Sequence, residues 1–153
     1  MSKLAFIFPG QGAQKAGMGK DFYENSEAAR SFFDQAQKIL DFDLKEMCFG
    51  EHEELNLTEY TQPCMVSVCL AIVQELKKRG INPDITAGLS LGEYAAVAAA
   101  GGMNELDAIK LVRRRGILMQ STVPAGEGAM AAVLGLDAKK IEEILESFEN
   151  VWI

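Results

Sequence analysis

A serine between two glycines is the residue whose type and setting most directly indicate covalent chemistry. Ser90 lies in the segment Gly88-Leu89-Ser90-Leu91-Gly92, which has the G-x-S-x-G pattern of a nucleophile elbow. An elbow holds its serine on a strained turn between a strand and a helix, and the flanking glycines let these two elements pass close together. The pattern therefore predicts that Ser90 is a nucleophile.

The flanking segments predict the strand and the helix that an elbow needs. The apolar run at 85–87 indicates a short buried strand, and the alanine-rich run at 94–100 indicates a helix. A helix that starts at or just after Ser90 directs free backbone N–H groups toward its Oγ, and the N–H of Leu91 is the expected first donor to an oxyanion. The alternative is an ordinary turn in which Ser90 caps the helix.

A glycine-rich loop follows the first predicted strand. The continuous apolar run at 4–8 predicts a strand covered on both faces, and residues 9–12 interrupt it. The loop does not match the nucleotide-binding patterns. The dinucleotide pattern needs glycine where Lys15 stands, and the P-loop pattern needs Ser or Thr where Asp21 stands. Such a loop can instead bring a backbone N–H to the neighbouring strand's C-terminal end, so Gln11 is the candidate for the second oxyanion donor.

Three consecutive arginines, at 113–115, fall in a helix that Asn104 is predicted to cap and that runs to about Ser121. Arg115 has apolar residues three and four positions away on both sides, which predicts that it lies on the buried stripe. A buried guanidinium keeps its charge and needs an anionic partner. That partner is either a buried carboxylate or an anionic ligand in an active-site cleft, and the pattern leaves both open.

The other periodic segments predict a helix-rich α/β chain. The expected elements are a helix from Ser26 to about Leu40, a shorter helix over 41–50, a polar loop over 51–57, a helix opening at 61–63 and ending at Arg79, a strand over 129–134, a helix from Asp137 through Ser147, and the start of a strand at 151–153. Pro63 is expected in the first turn of its helix. The Pro- and Gly-containing stretch at 123–128 is the clearest predicted subdomain boundary.

Composition narrows the class of protein. The chain has 153 residues, 48% of them hydrophobic, and a net charge of −7 with a pI near 4.8, which argues against nucleic acid as a partner. No apolar run is long enough to span a membrane. The odd number of cysteines favours a reduced, cytoplasmic setting, and the single histidine, His52, lies in an acidic segment that predicts a surface position.

Several motifs together resemble a known family. They are 8–12 (FPGQG), 61–63 (TQP), 88–94 (GLSLGEY), 115–116 (RG) with 119–120 (MQ), and 126–130 (GEGAM). In order and spacing they closely resemble malonyl-CoA:acyl carrier protein transacylases of bacterial fatty-acid synthesis. The resemblance covers the whole chain but only about the first half of the family's usual length. It implies an α/β fold, with residues 1–124 as the first part of an α/β-hydrolase-like large subdomain and 125–153 as the opening strand and helix of a ferredoxin-like small one.

The resemblance also implies roles for individual residues. Ser90 would attack the thioester of malonyl-CoA and hold the malonyl group as an ester until the phosphopantetheine thiol of acyl carrier protein takes it. The backbone N–H groups of Gln11 and Leu91 would form the oxyanion hole, and Arg115 would bind the malonyl carboxylate. CoA enters as part of the substrate, so neither a separate cofactor nor a metal is implied. The local basic cluster of Lys110, Arg113 and Arg114 is a candidate docking patch for the carrier protein.

Two features depart from the family pattern. Leu89 stands where the family often has histidine before the nucleophile, and the family's catalytic histidine falls in the half that this sequence does not contain. His52 does not match that histidine in position or context. The 153-residue chain alone is therefore expected to be inactive as a transacylase, to expose apolar sheet edge and to self-associate, or to assemble with a chain that supplies the other half. The alternatives are a serine thioesterase or esterase, and a non-catalytic fragment that binds CoA or carrier protein.

Overall fold

The structure is a computed structural model that describes residues 3–123 and 126–153. Its elements in chain order are β1 (Ala5–Phe8), α1 (Lys20–Asn25), α2 (Glu27–Gln37), α3 (Leu44–Phe49), a 3-10 helix (Glu53–Asn56), α4 (Thr58–Lys78), β2 (Ile85–Gly88), α5 (Leu91–Ala99), α6 (Glu105–Thr122) and α7 (Ala138–Leu145). This is an α/β arrangement with a small parallel sheet and many helices. Within the described ranges, no helix combines the length and the apolar character that a membrane crossing requires.

The sheet consists of β1 and β2, paired in parallel from Ala5 opposite Ile85 to Phe8 opposite Gly88. Thr86 donates its hydroxyl hydrogen to the carbonyl of Ala96, at 3.0 Å, and so ties β2 to α5. Because side chains alternate along a strand, Phe8 shares this covered face and is buried. Both strands therefore end at the same edge, where the loop after β1 and the elbow after β2 meet.

The predicted burial of β1 on both faces is wrong for this chain, and so is the predicted burial of β2. Ile7 is 79% exposed and Ile85 is 55% exposed, although both are apolar strand residues. The physical reason is that no helix of the described residues covers this side of the two-stranded sheet. A further apolar groove of about 420 Å³ opens between β1 and α4, with Phe6, Met65 and Ile72 among its lining residues.

Helix starts agree with the capping residues that the sequence indicates. Ser26 accepts from the N–H of Ala29 at the start of α2, Asn104 accepts from two N–H groups at the start of α6, and Asp137 accepts from one at the start of α7. Each cap satisfies backbone donors that have no partner within the helix. The core lies mainly between α2, α4, α5 and α6, where Phe33, Leu70 and other apolar side chains are fully buried.

The predicted start of α4 is wrong by about one turn. The helix begins at Thr58, so Pro63 lies inside it rather than in its first turn. The proline ring has no N–H, so the carbonyl of Glu59 loses the helical partner that it would otherwise have four residues later. Arg113 of α6 donates to this carbonyl instead, and this replacement lets the helix extend across the proline.

The segment beyond residue 125 differs from the prediction in its strands. The helix after Asp137 forms as α7, but residues 129–134 and 151–153 are irregular rather than strands. A strand needs a neighbour for its backbone hydrogen bonds, and the described residues supply none here. Apolar side chains of this segment are therefore exposed to solvent, with Met130 98% exposed and Trp152 82% exposed. The predicted boundary at 124/125 falls on residues outside the described ranges, and the assignment of 126–153 to a ferredoxin-like subdomain stays a prediction.

Candidate active site

Ser90 lies at the turn between β2 and α5, in a conformation that L-residues rarely adopt. Its φ is 50° and its ψ is −96°, and it directly precedes the first residue of α5. Its hydroxyl makes no capping hydrogen bond to that helix, which removes the alternative in which Ser90 is an ordinary N-cap. A strained, exposed serine that does not cap its helix has the geometry of a nucleophile elbow.

The glycines on either side of Ser90 are required by close backbone approach. A Cβ on Gly88 would collide with the backbone of Gly92 and Glu93, and a Cβ on Gly92 would collide with the carbonyl oxygen of Phe8. The obstacles are backbone atoms that cannot rotate away. The elbow thus forms because strand, helix and the end of β1 pack at distances that only glycine permits.

We expect Gly88→Ala to lower the free energy of unfolding by about 3 kcal/mol, because the new methyl group forces the start of α5 away from β2. Urea unfolding followed by circular dichroism measures the change. Gly102→Ala is the matched control, since its Cβ would meet mainly the movable side chain of Val97, and we expect it to stay within about 0.5 kcal/mol of the parent. Equal losses in both variants would show that the close approach at the elbow does not limit stability.

The structure brings Arg115 to Ser90. Its Nη2 donates to the Oγ of Ser90 at 3.2 Å, and its guanidinium carbon lies 5.6 Å from the ring centroid of Tyr94, within the range of a cation–π contact. The prediction of a buried stripe around Arg115 is wrong. Arg115 is half-buried, and its neighbour Leu118 is 52% exposed, because the buried face of α6 consists of Ala108, Ile109, Val112 and Gly116 instead.

The loop after β1, which carries Gln11, lies against the elbow. A Cβ on Gly10 would stand 3.0 Å from the carbonyl oxygen of Leu89, and the N–H of Leu89 donates to the carbonyl of Phe8 at 3.1 Å. The backbone N–H groups of Gln11 and Leu91 donate to no residue in the described part of the chain. Both are therefore free to donate to a ligand at this edge of the sheet.

Two residues that the sequence reasoning did not select tie this loop to α6. Thr58, the first residue of α4, accepts from Gln11 Nε2 through its Oγ1 at 3.0 Å, and its backbone N–H donates to Gln120 Oε1 at 3.0 Å. Gln120 lies in one of the family motifs, and this motif was the available signal for it. Thr58 lies before the motif over 61–63 and therefore had no such signal. Only the tertiary structure shows that the two side chains meet.

The basic cluster predicted as a docking patch is open only in part, and its role stays a prediction. Arg113 is only 13% exposed and forms ion pairs with Asp41 and Glu59, and Lys110 pairs with Asp107. The hydrogen bonds from Arg113 hold the pKa of the Asp41 carboxyl below its usual value. Lys110 and Arg114 are both exposed, and of the cluster Arg114 alone makes no ion pair with a described residue.

His52 and the cysteines are not arranged as alternative catalytic groups. His52 Nε2 lies 3.0 Å from Glu46 Oε1 in a half-buried position, and no described contact joins it to Ser90. Burial raises the pKa of the Cys69 thiol to about 11, and a hydrogen bond with Cys48 together with burial raises that of Cys64. These thiols stay protonated and are poor nucleophiles. Among the described residues, no group of three or more potential ligand side chains is arranged to hold a metal ion.

Comparison with known proteins assigns the chain to a family. The model of the acyl transferase domain matches residues 5–153. The malonyl CoA-acyl carrier protein transacylase of Bacillus subtilis (strain 168) is 49% identical over 147 residues, which are 95% of this chain and 46% of that protein. The protein of the same name from Staphylococcus aureus (strain MSSA476) is 48% identical over 151 residues, which are 98% of this chain and 48% of that protein.

Solved structures give the same result. The malonyl CoA-acyl carrier protein transacylase of Clostridium perfringens superposes with a TM-score of 0.85 at 44% identity, over 95% of this chain and 46% of that one. A malonyl-transacylase solved in complex with a type II PKS acyl-carrier protein superposes with a TM-score of 0.87 at 39% identity, over 95% of this chain and 48% of that one. The chain spans about half the length of the relatives it matches. With an elbow serine, a facing arginine and a family match over residues 5–153, the chain belongs to the acyl transferase domain family.

Proposed function

We propose that this chain carries the nucleophile, the oxyanion hole and the carboxylate-binding arginine of a malonyl-CoA:acyl carrier protein transacylase. The observation that carries the proposal is the 3.2 Å contact between Arg115 Nη2 and Ser90 Oγ. A permanent positive charge beside a serine nucleophile favours an acyl group that bears its own negative charge. The neutral substrates of a simple esterase or thioesterase carry no charge that the guanidinium could pair with, so they gain nothing from it.

In the first half of the reaction, Ser90 Oγ attacks the thioester carbonyl carbon of malonyl-CoA. The carbonyl oxygen becomes an oxyanion, which the N–H groups of Gln11 and Leu91 stabilise together with the N-terminal end of α5. The tetrahedral intermediate then collapses, the C–S bond breaks, and CoA leaves as its thiol after taking a proton. The malonyl group remains as an ester on Ser90.

Arg115 has a second role once the ester has formed. A malonyl ester places a carbonyl and a methylene between Oγ and the free carboxylate, so the guanidinium withdraws from Oγ and pairs with the carboxylate oxygens. Two parallel N–H···O bonds fit the planar fork of arginine. Tyr94 limits this movement because its ring stays under the guanidinium.

In the second half of the reaction, the phosphopantetheine thiol of an acyl carrier protein attacks the ester carbonyl and takes the malonyl group, which restores Ser90. This makes the cycle ping-pong. The solved complex of a malonyl-transacylase with its acyl-carrier protein supports this class of partner. Fatty-acid synthesis in the cytoplasm is the proposed setting.

The seryl proton needs an acceptor that the described residues do not supply. The side-chain partner of Ser90 Oγ within the described ranges is Arg115, which cannot accept a proton. We propose that a histidine from a second half of the fold acts as the base, and that this half also covers the exposed face of β1 and β2. Alone, the chain would then self-associate through these apolar surfaces and transfer malonyl groups on the order of a million-fold more slowly.

The test supplies labelled malonyl-CoA and phosphopantetheinylated acyl carrier protein to the chain, alone and mixed with the half of the Bacillus subtilis relative that this chain does not match. We expect labelled carrier protein to form rapidly only in the mixture. Free malonate as the main product would instead indicate a thioesterase. No label on carrier protein in a mixture that forms a stable complex would contradict the proposed transfer.

A further inference from the structure

Arg113 is fixed more firmly than an ordinary helix-surface arginine. Its Nε and Nη2 donate in parallel to the two carboxylate oxygens of Asp41, each at 2.9 Å, and its Nη1 donates to Glu59 Oε2 at 3.1 Å. The guanidinium carbon lies 5.2 Å from the ring centroid of Phe42 and 5.1 Å from that of Tyr60. The two ring centroids are only 5.1 Å apart, so both rings lie on the same side of the guanidinium, and the hydrogen bonds along its edge fix its orientation.

The fourth hydrogen bond of Arg113 depends on Pro63. Arg113 Nη1 also donates to the backbone carbonyl of Glu59, at 2.8 Å. This carbonyl is the acceptor that would bond the N–H of residue 63 in an uninterrupted helix, and proline has none. The first turn of α4 therefore presents a free acceptor, and α6 fills it.

The same turn of α4 lies close against α6. A Cβ on Gly116 would stand 2.8 Å from Glu59 Cα and 2.8 Å from the carbonyl oxygen of Thr58. Gln120 accepts from the N–H of Thr58, and Thr58 accepts from Gln11. One helical turn thus holds both α6, which carries Arg115, and the loop that carries Gln11.

The spacing of the two arginines places them on different faces of α6, so the contacts of Arg113 can fix the position of Arg115. Arg113 and Arg115 are two residues apart on α6, which separates them by about 200° around the helix axis and about 3 Å along it. Arg113 therefore faces Asp41 and Glu59, while Arg115 faces Ser90. Any rotation or sliding of α6 that follows loss of the Arg113 contacts moves the Arg115 guanidinium relative to Ser90 Oγ.

We propose that Arg113 is a positioning residue: its contacts with Asp41 and the first turn of α4 set the place of Arg115 beside Ser90, and through it the preference for carboxylate-bearing acyl groups. The preference rests on the proposed function, whereas the placement of Arg115 does not. Two measurements therefore separate them. Arg114→Met is the matched control, because it removes the adjacent charge, which contacts no described acidic residue.

The first measurement observes Arg115 directly and needs no substrate. In ¹H–¹⁵N spectra of the arginine Nε–H groups, we expect Arg113→Met to move the Arg115 signal toward that of a free arginine, while Arg114→Met leaves it in place. Backbone amide signals of β1 and β2 report whether the fold is kept. If Arg113→Met does not fold, Arg113→Lys and Asp41→Asn, a substitution at an exposed residue, replace it. We expect both to shift the Arg115 signal in the same direction. An unchanged Arg115 signal in any folded variant of Arg113 overturns the proposal.

The second measurement compares acyl groups. Intact-mass spectrometry follows ester formation on the 153-residue chain with malonyl-CoA and with acetyl-CoA. We expect Arg113→Met to slow malonyl ester formation about tenfold and to change acetyl ester formation less than about twofold, since a misplacement of about 1 Å is enough for such a loss. Equal slowing of both overturns the proposal, because it indicates a general structural role. The proposed function fails if neither acyl group is taken up in the mixture with the half of the Bacillus subtilis relative, and in that case the arginine spectra alone decide the placement of Arg115.

Discussion

Ser90→Ala is expected to abolish formation of a malonyl ester on this chain. The parent, incubated for hours with excess malonyl-CoA, should gain the mass of one malonyl group, because the N-terminus of α5 and the Arg115 guanidinium both favour the alkoxide of Ser90. Formation should be slow, since no base contacts Oγ among the described residues. The variant has no hydroxyl at the elbow, so its mass should stay unchanged in the same time.

Two controls make the Ser90 result specific. Ser31→Ala removes an exposed helix serine that accepts from Gln35, and it should take up malonyl as the parent does. The fold of Ser90→Ala should be kept, because alanine meets the same strain at a φ of 50° as serine does. A malonyl adduct of equal yield in Ser90→Ala would place the reactive group elsewhere and would refute the elbow as the site.

Arg115→Met is expected to slow malonyl ester formation about 100-fold and to leave acetyl ester formation unchanged or faster. Methionine keeps an unbranched side chain of similar reach but cannot pair with the carboxylate, and a lost charged hydrogen bond of about 3 kcal/mol corresponds to this factor. Parallel time courses with malonyl-CoA and acetyl-CoA, followed by intact mass, give the ratio.

The adjacent residue again provides the comparison. Arg114→Met changes the same net charge one position away and should leave the malonyl-to-acetyl ratio at the parent's value, which separates local pairing from the general field of the chain. If Arg115→Met lowers the rates of malonyl and acetyl ester formation by the same factor, the arginine maintains the elbow rather than selecting the acyl group.

Local sequence signals predicted the parts of the fold that local forces build. The elbow follows from glycines at 88 and 92, since backbone approach at those positions excludes any Cβ. Ser26, Asn104 and Asp137 marked helix starts because a cap acts on N–H groups two or three residues away. The short helix α1 and the 3-10 helix were not predicted, since each is too short to show a periodic pattern.

The errors have a common cause, which is that burial depends on elements far apart in the chain. Apolar runs at 4–8 and 85–87 do form strands, but Ile7 and Ile85 remain exposed because the described elements leave one face of the sheet open. Residues 129–134 have strand composition, but no strand among the described residues lies beside them. The apolar residues around Arg115 suggested a buried stripe, whereas the helix turns a different face to the core.

The sequence by itself determined the elbow that carries Ser90, the glycines that bend the chain around it and the helix caps, because these depend on residue types a few positions apart. The sequence singled out Arg115 among three adjacent arginines, but only the tertiary structure decided that it faces Ser90 while Asp41 and Glu59 hold Arg113. That choice depends on the rotation of α6 about its axis. Packing against α4 sets this rotation, through Gly116 and the carbonyl that Pro63 leaves free.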